Sequence, residues 1–365
     1  MPNRGSRCRG SFPRRRASRT ALHDRTLLIA LVHATVRCFS VSFPRRPVAI
    51  LAFGLLAGLL GAKTSFAQSP PGGRVLPADF VQHRIYVTAV TTEGDSLRML
   101  TDTGGGTAVV LSSSAVRWTG RPVIDTLQGR RPIQVVPVPA FRTEGPVPQT
   151  RAERAIIAPS RRAQLVGYDD GRLGMHWFAG RIWTFDYGDE TLRLHDTADE
   201  LSFAPDHTVD LAFRTDSTGT RVGHHPRVEA SIDGTTRSFL FDTGATTVLT
   251  DSAQGRLDAP RRIASGFIRA SLFERWTNKH PDWTVVEGAS PALGGSPLIR
   301  VPEVEIAGHT AGPVWFERRP DRTIQKTLAG SMDRRVAGAL GGSLFRHFRI
   351  TVDYPNARAY FQRLD

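Results

Sequence analysis

The tripeptide Asp-Thr-Gly occurs twice in this chain, and each copy ends an apolar run typical of a β-strand. The first copy is Asp102-Thr103-Gly104 and the second is Asp242-Thr243-Gly244. If a duplicated unit brings the two copies face to face, two carboxylates share one site. Like charges at close range raise one pKa, so such a pair holds a shared proton. The pair then supplies an acid and a base together.

The repeat extends well beyond the tripeptide. Residues 171–178 and 338–345 share Gly, Leu, Gly and Phe at the same offsets, and both run on to a Thr-x-Asp-Tyr sequence. The two tripeptides lie 242 − 102 = 140 residues apart, a domain-sized period that is too long for a solenoid unit. The sequence therefore predicts two homologous lobes within one chain.

These motifs resemble those of the pepsin and retropepsin superfamily of aspartic peptidases, in its bacterial-type, retropepsin-like form with two lobes in one chain. The resemblance covers nearly all of residues 80–363 and is carried by Asp242-Thr243-Gly244-Ala245-Thr246, by Ala339-Leu340-Gly341 and by the closing stretch 348–354. It implies an all-β fold of two homologous β-barrel lobes with the active-site cleft between them.

The resemblance also implies a function and a set of site residues. Asp102 and Asp242 would hold one water, and an exported aspartic endopeptidase would use it to hydrolyse peptide bonds. The ionised carboxylate takes the proton of the water while the protonated one donates to the scissile carbonyl oxygen. The family implies a polypeptide substrate and a monomer, with no metal and no cofactor. Residues expected to support the catalytic loops are Thr103 and Thr243, which would hydrogen-bond across the lobes, and Gly104 and Gly244, which would let the backbone turn.

Two departures from the family pattern in the first lobe keep other interpretations open. Gly105 and Gly106 follow the first tripeptide, and Arg172 stands where a second apolar residue is usual before Leu173-Gly174. One alternative is a non-catalytic peptide-binding protein on the same fold. Another is a peptidase whose site forms from two second lobes in a dimer.

The N-terminal region predicts export. An apolar run at 48–62 follows Arg45-Arg46 and ends in Ser65-Phe66-Ala67, which has small residues at the positions of a signal-peptidase site. We interpret residues 1–67 as a leader with a signal peptide, with residues 1–40 an over-extended gene start. The competing interpretation is a signal anchor. Cleavage would leave a periplasmic or secreted protein without a stable membrane anchor.

The leader also carries most of the charge and both cysteines. Residues 1–67 hold eleven Arg and one Lys against one Asp, a net of +11 out of +14 for the whole chain. The remainder is near +3, so the charge gives no reason to expect nucleic-acid binding. Because Cys8 and Cys38 both precede residue 68, the remainder lacks a disulfide framework and a cysteine nucleophile.

Periodicity and turn residues predict the internal organisation. We expect a first lobe at 78–196, a linker at 197–207 and a second lobe at 208–365. One extra helix is predicted in the second lobe over 265–280, because Ile268, Leu272 and Trp276 fall on one helical face and Pro281 follows. Hairpins at 123–135 and 283–288 are predicted beside the cleft.

Three further motifs receive structural interpretations. His224-His225 has no partner at metal-ligand spacing and is expected in a solvated loop. Residues 317–321 are expected to form a charged surface turn. The matched pairs Asp186-Tyr187 and Asp353-Tyr354 are expected to shape turns at strand ends.

Overall fold

Both Asp-Thr-Gly tripeptides directly follow the last residue of a strand in the computed structural model of the chain. The structure describes residues 72–128, 132–158, 167–198, 201, 207–291, 294–328 and 330–364. The predicted leader, the turn of the first predicted hairpin and most of the predicted linker lie outside these residues.

Strands dominate the described chain. Those before residue 200 are β1 (Arg74–Val75), β2 (Ala78–Val81), β3 (Arg84–Val90), β4 (Ser96–Thr101), β5 (Val109–Ser112), β6 (Asp125–Leu127), β7 (Ile133–Val136), β8 (Ala155–Ala158), β9 (Gly171–Leu173), β10 (Ile182–Asp186) and β11 (Thr191–His195). Those after it are β12 (Thr208–Asp210), β13 (Arg227–Ile232), β14 (Thr235–Phe241), β15 (Thr246–Val248), β16 (Arg262–Ala264), β17 (Gly266–Arg269), β18 (Val285–Ser290), β19 (Ser296–Val301), β20 (Val304–Ile306), β21 (His309–Ala311), β22 (Val314–Arg319), β23 (Gly338–Leu340), β24 (Phe348–Asp353) and β25 (Arg358–Arg363).

The helices are short. They are α1 (Ser113–Trp118), α2 (Met175–Phe178), α3 (Asp251–Leu257), α4 (Ala270–Lys279), α5 (Asp321–Thr323), which runs into a π-helical turn at Ile324–Leu328, and α6 (Gly342–Phe345). Among the residues described, no helix combines the length and the apolar composition that a membrane span requires.

The two halves of the described chain repeat one strand arrangement. In the first half, β4 pairs in parallel with β9, and β5 pairs antiparallel on the other side of β9. In the second half, β14 pairs in parallel with β23, and β17 pairs antiparallel with β23. Preceding strands β3 and β13 complete the pattern as antiparallel neighbours of β4 and β14. Both Asp-Thr-Gly strands therefore have equivalent neighbours.

A six-stranded sheet takes strands from both halves, in the order β1-β11-β10-β24-β25-β12. At its centre β10 and β24 run antiparallel, and the hydroxyls of Thr184 and Thr351 hydrogen-bond at 2.6 Å. The other large sheets are eight-stranded and nine-stranded, and in the described residues each has two ends. The fold is all-β as predicted, but its sheets are open, which corrects the expectation of closed β-barrels.

The predicted helix at 265–280 is shorter than expected. Gly266–Arg269 form strand β17, which pairs in parallel with β22, and only Ala270–Lys279 are helical. The buried side chain of Ile268 therefore belongs to a strand. The buried side chains of Leu272 and Trp276 belong to the helix, as predicted. Residues 266–269 form a strand because they pair with β22. The helical periodicity of the sequence gives no information about this partner, which is distant in the chain.

The matched Asp-Tyr pairs lie where the sequence placed them, at the ends of β10 and β24. The backbone N–H groups of Gly188 and Asp189 donate to Asp186 Oδ1 at 3.1 Å, and the N–H of Asn356 donates to Asp353 Oδ1 at 2.9 Å. Each carboxylate thus satisfies the backbone of the turn that follows its strand.

The main hydrophobic core reaches directly under the second Asp-Thr-Gly loop. Phe241, the residue before Asp242, stacks on Phe345 with ring centroids 4.2 Å apart, and Phe185 lies 6.2 Å from Phe241. All three rings are fully buried. Strand β10, strand β14 and helix α6 therefore pack together through aromatic side chains beneath the loop.

Removing one of these rings should strongly destabilise the protein. We expect Phe345→Ala to lower the free energy of unfolding by about 3–5 kcal/mol, because it leaves a cavity in a closely packed core. Urea unfolding followed by circular dichroism measures this. The control Trp118→Ala, at a side chain 49% exposed, should change it by less than about 0.5 kcal/mol. Equal losses in the two variants would contradict the placement of the core.

Candidate functional site

The two Asp-Thr-Gly loops face each other, and later strands fix the backbone of each. The N–H of Asp102 donates to the carbonyl oxygen of Leu173 at 3.0 Å, and the N–H of Asp242 donates to that of Leu340 at 2.9 Å. Leu173 and Leu340 end the equivalent strands β9 and β23. The repeated Leu-Gly elements noted in the sequence thus hold the carboxylate-bearing residues in equivalent positions.

Threonine side chains join the two loops through reciprocal hydrogen bonds. The hydroxyl of Thr103 donates to the carbonyl oxygen of Phe241 at 2.7 Å and accepts from the N–H of Thr243 at 3.0 Å. The hydroxyl of Thr243 in turn donates to the carbonyl oxygen of Thr101 at 3.3 Å and accepts from the N–H of Thr103 at 3.2 Å. Both threonines are fully buried, so each hydroxyl satisfies backbone groups that water cannot reach.

Glycine is required in both loops because each carboxyl group lies against the opposite glycine. A Cβ added at Gly104 would lie 2.4 Å from Cγ of Asp242, and one added at Gly244 would lie 2.3 Å from Cγ of Asp102. Neither glycine has a positive φ, so their role is close approach and not the backbone turn expected from the sequence. The structure therefore brings Asp102 and Asp242 together within one chain.

Burial and mutual repulsion perturb the pair. Both residues are only 7% exposed. Burial raises the pKa of Asp242 well above its usual range, and the charge of Asp102 and a hydrogen bond with it raise this pKa further. The N–H of Gly244 donates to Oδ1 of Asp242 at 3.0 Å and opposes this shift in part. These effects favour the protonated form of Asp242, and the two carboxyl groups titrate as a coupled pair.

An arginine side chain binds the other carboxylate, that of Asp102. Nη1 of Arg172 donates to Oδ2 of Asp102 at 3.1 Å, with side-chain exposures of 15% and 11%. Burial by itself would lower the pKa of Arg172, but the charge of Asp102 leads the effects that raise it. The guanidinium also lies 5.7 Å from the ring centroid of Tyr168. The apolar residue expected before Leu173 is thus replaced by a cation that binds the first carboxylate.

A second arginine lies near the other carboxylate, on strand β22. The positive charge of Arg319 lowers the pKa of Asp242 and so opposes its upward shift. The guanidinium of Arg319 stacks 3.6 Å from the ring centroid of Phe267, and its Nη2 lies 3.3 Å from Oε2 of Glu317. Glu317 is only 3% exposed, so the predicted charged surface turn at 317–321 is wrong for its first residues, which belong to a strand.

Sequence reasoning missed His225, which contacts the first loop. Instead of lying in a solvated loop, it is 6% exposed, and its Nε2 lies 3.0 Å from the carbonyl oxygen of Gly105. A carbonyl can only accept, so Nε2 carries the hydrogen; burial lowers the pKa of His225. The N–H of Met175 donates to the same oxygen at 3.1 Å. A separation of 120 residues left no local signal for this contact.

Metal ligation finds no support in the described ranges, where no group of three or more His, Cys, Asp or Glu side chains is placed to hold an ion.

Matches to known proteins were found only among solved structures. No protein-family model matches the chain, and no curated protein matches it. Basic 7S globulin from soybean is 12% identical with a TM-score of 0.39, over 80% of this chain and 95% of the globulin. Conglutin gamma, a basic 7S globulin from lupine seeds, is 11% identical with a TM-score of 0.40, over 81% and 96%. The protein edgp is 11% identical with a TM-score of 0.38, over 80% and 94%.

These comparisons correct the identity expected from the sequence. The three structures are named as basic 7S globulins and edgp, and neither a family model nor a curated protein supports a pepsin or retropepsin peptidase. The predicted membership of that superfamily, and the aspartic endopeptidase activity that it implied, are therefore wrong. At such identities no activity passes from these proteins to this chain.

The raised pKa of Asp242 makes a prediction about stability. Because its pKa is higher in the folded state than in the unfolded state, the folded state binds the proton more tightly. Stability should therefore fall as pH rises from the unfolded value near 4 through the folded value. Asp242→Asn removes this loss, so the free energy of unfolding of the variant should gain on that of the wild type with rising pH.

Urea unfolding at intervals from pH 4 to pH 8 tests this expectation, with Glu303→Gln at an exposed position as the matched control. Parallel pH profiles for the wild type and Asp242→Asn would show that Asp242 is not perturbed in the folded protein.

The ion pair of Arg172 makes a second prediction. Arg172→Leu leaves Asp102 without its cation and should lower the free energy of unfolding at pH 7 by about 3–5 kcal/mol. The double variant Arg172→Leu/Asp102→Asn should recover much of that loss, because the uncompensated charge is then removed. A double-mutant cycle in urea measures the coupling. Additive effects of the two substitutions would contradict a direct pair.

Proposed function

We propose that the protein is a non-catalytic peptide-binding protein whose binding site is organised around Asp102 and Asp242. The observation that carries this proposal is the Arg172–Asp102 ion pair. A carboxylate that activates water must accept a proton from it. Oδ2 of Asp102 instead accepts a charge-assisted hydrogen bond from a guanidinium, which occupies a lone pair that could otherwise accept that proton. This contact weakens the base that hydrolysis would need.

Binding can use the same groups without turnover. Asp242 has a raised pKa and, when protonated, carries an O–H that a peptide carbonyl can accept in place of Asp102. Asp102 is an acceptor for a peptide N–H, and its Oδ1 is buried without a hydrogen-bond partner among the described residues. One donor and one acceptor held side by side match the alternation of carbonyl and N–H groups along an extended peptide.

The repeated topology supports an interpretation of the fold as two homologous lobes, at 78–196 and 208–365, with the site between them. Equivalent strands carry the two carboxylates, and threonines join their loops. Because both loops meet within one chain, a site built from two second lobes in a dimer is unnecessary. A polypeptide ligand, a monomer and an exported location belong to this proposal, the last resting on the leader at 1–67.

An unbiased peptide library tests the proposed function. After incubation of the purified full chain with the library at pH 4 to pH 8, mass spectrometry should find peptides retained on the protein and intact in solution. Asp242→Ala removes the O–H donor, so retention should fall by about tenfold, the equivalent of 1.4 kcal/mol. The matched control Glu303→Gln should retain peptides like the wild type.

Two results would overturn the proposal. One is cleavage that disappears in both Asp102→Asn and Asp242→Asn, which would make the pair catalytic. The other is equal retention by the wild type and Asp242→Ala, which would place peptide binding elsewhere on the protein.

A further inference from the structure

A group of basic side chains converges behind the first Asp-Thr-Gly loop. This basic cluster consists of Arg151, His176, Arg181, Arg221 and His224, which come from three separate segments of the chain. His176 lies in helix α2, and Arg181 follows after Ala179 and Gly180. The rings of His176 and His224 meet edge to face, with centroids 5.6 Å apart.

Backbone contacts hold the arginines in place. Arg181 donates from Nη1 to the carbonyl oxygen of Trp177 at 2.5 Å and from Nη2 to that of Gln149 at 2.7 Å. Nη1 of Arg151 lies only 2.5 Å from the position of an added Cβ at Gly180, so this guanidinium packs directly on the glycine. Gly180 precedes Arg181, which places two guanidinium groups against neighbouring residues.

The positive charge of the cluster is not neutralised within the described chain. There, no carboxylate oxygen lies within 4.0 Å of a side-chain nitrogen of Arg151, Arg181 or Arg221, although many other arginines have such partners. Burial, then the charges of Arg151 and Arg74, lower the pKa of Arg181 to about 10. Burial, then His176, Arg221, Arg151 and His225, lower the pKa of His224 to about 4. The side chains whose charges lower the pKa values of Arg181 and His224 are thus all arginines or histidines.

The cluster also has unused hydrogen-bonding capacity. Nδ1 of His176 and Nδ1 of His224 are buried and have no hydrogen-bond partner within the part of the chain that the structure describes. No side-chain hydrogen bond of Arg151 is found in the described residues, and the residue as a whole is exposed, so its guanidinium donors are not used within the described chain. Like charges held together without a counter-charge repel one another, and an anion that enters relieves this repulsion.

We propose that the basic cluster is a binding site for a small, doubly charged oxyanion of the sulfate or phosphate class. A guanidinium offers several N–H donors in a planar fork that matches tetrahedral oxyanions. The basic side chains come from three segments, with Arg151 packed on Gly180 beside Arg181 and the rings of His176 and His224 in contact, which suits a compact anion better than an extended polyanion. The site is separate from Asp102 and Asp242, and its test does not depend on the proposed peptide binding.

The position of the cluster connects it to the first loop. Met175 and His225, which both contact the carbonyl oxygen of Gly105, are the chain neighbours of His176 and His224. An anion between these elements would therefore bridge the two supports of the loop that carries Asp102.

Isothermal titration calorimetry of the full chain with sodium sulfate and with inorganic phosphate tests the proposal, at constant ionic strength maintained with chloride. We expect saturable binding of one anion per chain. Arg151→Gln should weaken binding by at least about tenfold, since a charge-assisted hydrogen bond contributes about 1.5–3 kcal/mol. Arg154→Gln is the matched control, because it removes an equal charge from an exposed position three residues away.

Equal weakening of anion binding by Arg151→Gln and Arg154→Gln would show that only the overall charge matters and would contradict the proposed site. The absence of saturable heat with both anions would contradict it as well. Because Arg151 is exposed, its variant should keep the wild-type melting temperature in chloride buffer, so a loss of binding cannot be attributed to unfolding. A parallel titration with phosphoserine distinguishes the source of the anion: tighter binding than inorganic phosphate assigns a phosphate monoester, and weaker binding assigns the free ion.

Discussion

The reciprocal hydrogen bonds between Thr103 and Thr243 are the contact on which the rest of the site depends. Each hydroxyl donates to a carbonyl oxygen and accepts an N–H from the opposite loop, so the two loops can only be satisfied together. Losing one partner would leave buried backbone groups unpaired, at about 1–3 kcal/mol each. The aromatic core under Phe241 supports this junction from below. The carboxylates are thereby fixed side by side, although their charges repel each other.

The electrostatics at the junction then decide what the carboxylates can do. Two buried carboxyl groups alone would share a proton and could divide acid and base roles between them. Here Arg172 binds one of them, while burial and the charge of Asp102 raise the pKa of the other. The two groups are therefore unequal before any ligand arrives. A fixed acceptor and a fixed donor are well suited to recognising a backbone and less suited to activating water.

The sequence was informative where a short motif repeats and silent where distant segments meet. The paired Asp-Thr-Gly motifs and their Leu-Gly partners predicted the meeting of Asp102 with Asp242, and the family resemblance that they carry implied the all-β class. The unusual Arg172 could be recognised in the sequence, but its contact with Asp102 is known only from the structure. His225 was misplaced because its partner is a backbone carbonyl, which has no sequence signature. Residues 266–269 were misread because pairing with β22 overrides their helical pattern. Closed barrels and a peptidase identity came from resemblance, and neither was supported.

The central claim is that this pair of carboxylates holds a peptide without hydrolysing it. Incubation of the protein with a retained peptide in water enriched in oxygen-18 tests it most directly, because every hydrolysed amide places one labelled oxygen in a new carboxyl group. The account predicts that mass spectrometry finds the bound peptide intact and no label in any new C-terminus. A labelled C-terminus that forms with the wild type and disappears with Asp242→Asn would contradict it.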